Sequence, residues 1–148
     1  KNLSLTLKYF EIGVDDYIAK PIRLNEFLAI IKSKFNQEKR WNEESKKSIE
    51  VENIVMNKFN KNILINKKKF KVTKTEFKIF SYLINNKNEV LSREEIFSDI
   101  WDYKPYGNLN NITVHINNLR KKLRDLNIRN IAIKTIWGFG YKLIINKV

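Results

Sequence analysis

The stretch from Asn110 to Leu126, NNITVHINNLRKKLRDL, constrains this chain more than any other. At 3.6 residues per turn, Ile112, Ile116, Leu119 and Leu123 fall on one stripe, and Leu126 continues it. Asn110, Thr113, Asn117, Lys121 and Arg124 fall on the opposite side, where Val114 is the one apolar side chain. No carboxylate interrupts that side before Asp125. The spacing predicts an amphipathic helix whose dry back must be covered by other elements and whose front offers amides, a hydroxyl and cations. Such a front suits the base edges and phosphates of a DNA major groove. A solvated surface helix is the plainer reading of the same pattern, and the flanking segments decide between them.

Charge points the same way. The 148 residues carry 29 Lys and Arg against 16 Asp and Glu, a net charge of +13. Residues 49–148 hold 19 of the basic and 9 of the acidic side chains. A basic segment of this size calls for a polyanionic partner, nucleic acid ahead of a membrane surface. The absence of cysteine excludes a disulfide frame, thiolate catalysis and Cys-based metal sites, and a single histidine argues against a histidine-rich metal centre. With no metal spacing and no phosphate loop, an enzyme is the weakest class, and no cofactor is expected. There is no signal peptide and no apolar run near about 18 residues, which predicts a soluble, cytoplasmic chain without membrane contact.

Residues 1–35 read as helix, short strand, helix. Leu3, Leu7 and Phe10 space a first helix that Gly13 ends, Asp15 to Ala19 form a brief strand stopped by Lys20-Pro21, and Asn25 caps a second helix carrying Phe27, Leu28, Ile31 and Phe35. Residues 36–48 are polar, mixed in charge and without apolar periodicity apart from Trp41, and read as a linker. From Ile49 to Val72 short apolar segments alternate as in a small antiparallel sheet, with Asn66 to Lys69 as a polar turn. The lysines at 67, 68, 69 and 71 read as a solvated hairpin edge or as a phosphate contact.

Two capping boxes follow. Thr73 and Glu76 open a helix with Phe77, Phe80, Leu83 and Ile84 inward, and Ser92 and Glu95 open another with Ile96, Phe97, Ile100 and Trp101 buried. A loop with Pro105 and Gly107 leads into the Asn110 helix, so two capped helices and a third basic one make a helix-turn-helix arrangement. The chain ends IAIKTIWGFGYKLII: alternating apolar residues, a reversal at Gly138-Phe139-Gly140, then a second strand. A β-hairpin directly after a recognition-type helix is a wing, and that order settles the reading on DNA binding.

VTKTEFKIFSYL, NEVLSREEIFSDIW, ITVHINNLRKKL and KTIWGFGYKL, in this order and spacing, closely resemble the winged-helix effector domain of OmpR/PhoB-type response regulators over residues 70–145. GVDDYIAKP followed by RLNEFLAIIKSKF resembles the final third of a receiver domain. The fold class implied is α+β: a winged helix-turn-helix with an N-terminal antiparallel sheet and a C-terminal wing hairpin, preceded by a helix–strand–helix receiver fragment. The implied division is 1–35 receiver remnant, 36–48 linker and 49–148 winged-helix DNA-binding domain. The resemblance implies a transcription regulator that binds direct-repeat half-sites on double-stranded DNA as a dimer. In the receiver family the lysine matching Lys20 contacts the phosphoryl group, and the bond before the proline matching Pro21 is cis. The phosphoacceptor and its acidic pair would lie upstream of residue 1, so this chain is expected to hold no working phosphoacceptor site.

The resemblance assigns DNA contact to Asn110, Asn111, Thr113, Val114, Asn117, Asn118, Arg120, Lys121, Arg124, Thr135, Trp137 and Lys142. It places the loop Tyr103, Lys104, Pro105, Tyr106 and Gly107 where family members contact RNA polymerase. Arg120 is often structural in the family, and His115 fits either hydrogen-bonded packing or a phosphate contact. Trp137 stands where many members carry a minor-groove arginine; it cannot supply that charge and packs or lies against sugars. Asn110-Asn111 replaces the usual Arg-Thr, and Asn117-Asn118 stands where some members carry two arginines. Asparagine pairs bidentately with adenine, whereas arginine favours guanine, and Val114 suits a thymine methyl, so an A/T-rich site is expected. Codon bias with weakened binding is the plainer explanation. Arg120, Lys121, Lys122, Arg124 and Lys142 are the expected phosphate contacts, and if about six such contacts form the slope of log affinity against log salt is roughly −5.

A second class of function stays open: a protein-interaction module whose receiver remnant pairs with an intact regulator, as a homo- or heterodimer. Ile30 falls where the family carries a pairing arginine, and an exposed Ile30 would mark a hydrophobic contact.

Overall fold

The structure is a computed structural model that describes residues 8, 12, 14, 18, 20–44, 48–101 and 109–146. The first helix and the Asp15–Ala19 strand expected from sequence lie outside the described residues, apart from one helical bond from the Ile12 N–H to the Lys8 carbonyl at 3.2 Å. The Lys20–Pro21 bond is cis, the isomer implied by the resemblance, and Lys20 is exposed.

Helix α1 runs from Leu24 to Glu44. Its first turn closes with Phe27 N–H on the Arg23 carbonyl at 2.9 Å, so Asn25 lies inside the helix and does not cap it. Most of the segment read as a linker is helical, a correction with a simple cause. Gln37, Glu38, Lys39 and Arg40 are good helix formers that need no apolar stripe to continue a helix already nucleated. Ile30 is also corrected: it is 8% exposed, and beside it Ser33 donates its hydroxyl to the Trp101 carbonyl.

A four-stranded antiparallel sheet follows in the order β1 (Ser48–Val51), β2 (Ile54–Asn57), β3 (Asn62–Ile65) and β4 (Lys68–Lys69). Ile54, Met56, Ile63 and Ile65 point inward and are fully buried, while Val55 and Leu64 face out, as period-two alternation requires. The polar turn is shorter than expected. Only Asn66 and Lys67 turn, both at positive φ (52° and 63°), and Lys68-Lys69 already pair with Ile65 and Leu64. Two consecutive left-handed residues are the signature of a tight type I′ hairpin.

The core is built on three helices: α2 (Lys74–Asn85), α3 (Arg93–Trp101) and α4 (Asn110–Asp125). Both capping boxes form. Thr73 N–H donates to Glu76 Oε2 at 2.8 Å and Glu76 N–H to Thr73 Oγ1 at 3.3 Å. Ser92 N–H donates to Glu95 Oε2 at 2.7 Å and Glu95 N–H to Ser92 Oγ at 3.0 Å. The predicted apolar stripes of all three helices meet in one core, where Phe70 tilts on Phe80 at 5.3 Å and Phe97 stacks on Trp101 at 4.8 Å.

The wing consists of β6 (Ile131–Ile136) and β7 (Gly140–Ile145). Beyond the predicted hairpin, a short strand β5 (Leu91–Ser92) pairs with the far side of β7, giving the order β5-β7-β6. The approach is so close that a Cβ on Gly140 would sit 2.0 Å from the Leu91 carbonyl oxygen. At the base of the wing, Asn130 donates to Asn53 at 3.2 Å and accepts from Asn66 at 3.4 Å, and Asn53 donates to Asn66. This trio of amides ties the N-terminal sheet to the start of β6.

Candidate nucleic-acid interface

Helix α4 presents its front as read. Asn110, Asn117, Lys121 and Arg124 are exposed, and Thr113, Val114 and Asn118 are half-buried. The back is wider than the apolar stripe. Asn111 is only 4% exposed, and its Oδ1 accepts from the adjoining Ile112 N–H at 2.8 Å. This corrects its place among the DNA contacts: residues 111, 115 and 119 form one ridge, and that ridge faces the core. His115, on the same ridge, is fully buried with its ring 6.3 Å from Trp101. Burial rules out a phosphate contact for it and leaves a packing role.

Arg120 joins the helix to the wing. Its Nε donates to the Ile133 carbonyl at 2.8 Å, Nη2 to Thr135 Oγ1 at 2.8 Å and Nη1 to Asn117 Oδ1 at 3.2 Å. Its guanidinium lies 5.8 Å from the centre of the Tyr141 ring, and burial pushes its pKa down from the usual arginine range. Beside it, the Thr113 and Tyr141 hydroxyls share a hydrogen bond at 2.9 Å. Arg120, Thr113 and Thr135 therefore bracket the helix to the hairpin in this structure. One lone pair of Asn117 Oδ1 is also used, which orients the amide and leaves the second lone pair and both N–H groups for a base edge.

Lys122 is drawn off the interface as well. Its Nζ lies 2.5 Å from Oε2 of Glu76, a buried carboxylate that also caps α2. The cation set that remains on the outer face is Lys121 and Arg124 on the helix, with half-buried Lys142 on the wing. To these the structure adds Lys134, which the sequence reading passed over. It is exposed and stands directly opposite Lys142 in the β6–β7 register. Strict alternation along the hairpin was the signal that could have found it. At the wing turn Trp137 is 88% exposed, and Phe139, also unassigned from sequence, is 73% exposed. Tyr103, Lys104, Pro105, Tyr106 and Gly107 lie outside the described residues. Among the described residues, no helix is long and apolar enough to cross a membrane.

Residues 67–143 match the family model described as "Transcriptional regulatory protein, C terminal". The regulatory protein VanR of Enterococcus faecium is 38% identical over 136 residues, which cover 89% of this chain and 59% of VanR. The chain thus spans about three-fifths of the length of the curated relatives it matches. Among solved structures, the DNA-binding domain of the response regulator AdeR, in complex with an intercistronic region, is 25% identical with a TM-score of 0.57. That match covers 67% of this chain and all of the AdeR domain. Response regulator DrrB, a Thermotoga maritima OmpR/PhoB homologue, is 26% identical with a TM-score of 0.54, covering 99% of this chain and 63% of DrrB. A four-stranded leading sheet, a capped helix-turn-helix and a braced C-terminal wing thus coincide with a family match over half the chain, and the protein belongs to the OmpR/PhoB-type response regulators.

Proposed function

We propose that this protein is a sequence-specific transcription regulator that lays α4 in the major groove of double-stranded DNA and sets its wing against the flanking backbone. The observation that carries this is the outer face of α4: amides and cations with no acidic side chain before Asp125, locked to a basic hairpin by Arg120. Asn117 and Asn118 read adenine, Val114 meets a thymine methyl, Asn110 sits at the groove entrance, and Lys121, Arg124, Lys134 and Lys142 hold phosphates. The AdeR domain, seen on an intercistronic region, supports this use of the fold. The role is binding rather than catalysis, with no cofactor, and it uses no phosphoacceptor within residues 1–148.

In this reading residues 49–148 are the DNA-binding unit and residues 1–35 the receiver segment, joined through the second half of α1. Half-sites are A/T-rich direct repeats occupied by two copies, and Tyr103 to Gly107 form the surface offered to RNA polymerase. The test is selection of binding sites from random duplex DNA by the whole chain. A/T-rich half-sites repeated about one helical turn apart are the expected result. Enrichment of G/C-rich half-sites would overturn the asparagine assignment, and steeply salt-sensitive binding without enrichment would overturn sequence specificity.

The second reading, pairing with an intact regulator, draws on the exposed Leu24, Leu28, Ile31 and Phe35 of α1, since Ile30 is already covered. Co-elution of this chain with such a regulator, abolished by Leu28→Asp, is its test.

A further inference from the structure

The lysines of the N-terminal sheet have no part in the DNA reading above. Between Glu52 and Glu76 the chain carries seven lysines and no acidic residue. The fold sorts them. Lys68, opposite Ile65, sends its Nζ to the Leu126 carbonyl at 3.3 Å. Lys69 stands opposite Leu64, which faces out of the sheet. The pairing runs on through Phe70, whose N–H donates to the Ile63 carbonyl at 2.9 Å and whose ring is buried. Extended chain then returns Lys71 to the side of Lys69.

A cleft of about 400 Å³ opens between this segment and the β2–β3 turn. Lys69 and Lys71 line it from the strand, Lys61 from the turn and Lys74 from the first residue of α2. Asn62 and Thr73 add an amide and a hydroxyl. The turn has its own internal bonds. Asn57 Oδ1 accepts from the Phe59 and Asn60 N–H groups at 3.0 and 3.1 Å, and Asn60 Oδ1 from the Asn62 N–H at 3.1 Å. Among the described residues, no carboxylate pairs with Lys61, Lys69 or Lys71. Glu76, which ends the lysine run, is buried and already taken by the Thr73 N–H and Lys122.

A cleft lined by one sign of charge focuses its potential and concentrates the counter-ion inside it. The volume lies within the range of small-molecule sites, about 300–1,000 Å³. Cations arriving from a turn, a strand and a helix enclose a compact anion better than they follow the extended backbone of a duplex. Several ammonium groups call for several negative charges, and phosphoryl oxygens accept from ammonium in charge-assisted hydrogen bonds. We propose that this cleft binds a small anion carrying two or more phosphoryl groups, gripped by Lys61, Lys69, Lys71 and Lys74. The site shares no residue with α4 or the wing, so it stands or falls apart from the DNA-binding reading.

The test is calorimetric titration of the whole chain with inorganic tripolyphosphate, on the parent and on two double variants. Lys61→Gln with Lys71→Gln empties the cleft of two charges, and Lys121→Gln with Arg124→Gln removes the same charge from α4. All four side chains are exposed, so both variants should melt at the parent temperature without ligand. The parent is expected to take up one tripolyphosphate per chain. The cleft variant should bind it about tenfold more weakly, and the α4 variant as the parent does. Tripolyphosphate should also raise the melting temperature of the parent and of the α4 variant, and less that of the cleft variant. Absence of binding, several equivalents per chain, or equal weakening in both variants would reduce the effect to net charge and overturn the site. A cleft variant that binds tripolyphosphate as the parent does, but loses duplex affinity with a salt slope shallower by about two, would place these lysines on a DNA backbone and overturn it as well.

Discussion

Single residues carry two kinds of work at this interface, and Arg120 shows how charge alone misleads. It lies in the middle of a basic face, yet three of its N–H groups are spent on Ile133, Thr135 and Asn117. Lysine keeps the charge but cannot serve three acceptors in one plane. Arg120→Lys is therefore expected to lower stability without any DNA present, by about 1–2 kcal/mol, read from a urea midpoint. An unchanged midpoint together with weaker DNA binding would instead put Arg120 at a phosphate. The glycines of the wing separate in the same manner. Nothing lies within 4 Å of a Cβ built on Gly138, whereas one on Gly140 meets the Leu91 backbone at 2.0 Å. Gly138→Ala should cost about 1 kcal/mol for the left-handed conformation alone. Gly140→Ala must break the β5–β7 pairing and should cost more than about 3 kcal/mol in the same measurement.

At the scale of elements, helix ends and helix faces were legible to different degrees. Thr73, Glu76, Ser92 and Glu95 announce two helix starts because a capping box is a local device, complete within four residues. Glu95 adds a pH signature. Its carboxyl is held below the usual range, chiefly by the Ser92 backbone N–H, with the Ser92 side chain adding to it. A carboxyl that titrates lower when folded stabilises above its unfolded pKa, and that stability is lost as pH falls through the folded one. Glu95→Gln should melt below the parent near pH 7, and the gap should close in acid; a gap constant down to about pH 3 would exclude a charge effect. Other features are non-local and left little trace. Two residues, Leu91 and Ser92, make a strand only because β7 arrives beside them, nearly fifty residues later. Asn111 and His115 look like front residues by polarity, but helix geometry buries both on one ridge, where the His115 ring lies beside Trp101. The packing of Ile30 and Ser33 against α3 was equally invisible, since it joins two segments with no shared motif. Ile30→Asp places a charge in that contact and should speed amide exchange across residues 24–35, while the core strands and helices keep their protection.

For the whole molecule, the fold spends part of its positive charge on itself. The +13 of the sequence makes a polyanion the expected partner, but Arg120 and Lys122 are already committed to Thr135 and Glu76. With Lys121, Arg124, Lys134 and Lys142 as the phosphate contacts, log affinity should fall with log salt at a slope of roughly −3 to −4. The shallower value separates this structure from the sequence reading of roughly −5, and a salt titration decides between them. The same commitments fasten the wing on three sides: β5 along one edge, Arg120 across its inner face, and the Asn53, Asn66 and Asn130 amides at its root. A hairpin hinged at its base would let each duplex choose where the second grip falls. One fastened in this way makes the molecule a calliper with a preset gauge, one jaw the helix and the other the wing tip. Fitting then falls to the DNA, and the ranking of its sequences would follow how cheaply each one bends to that gauge.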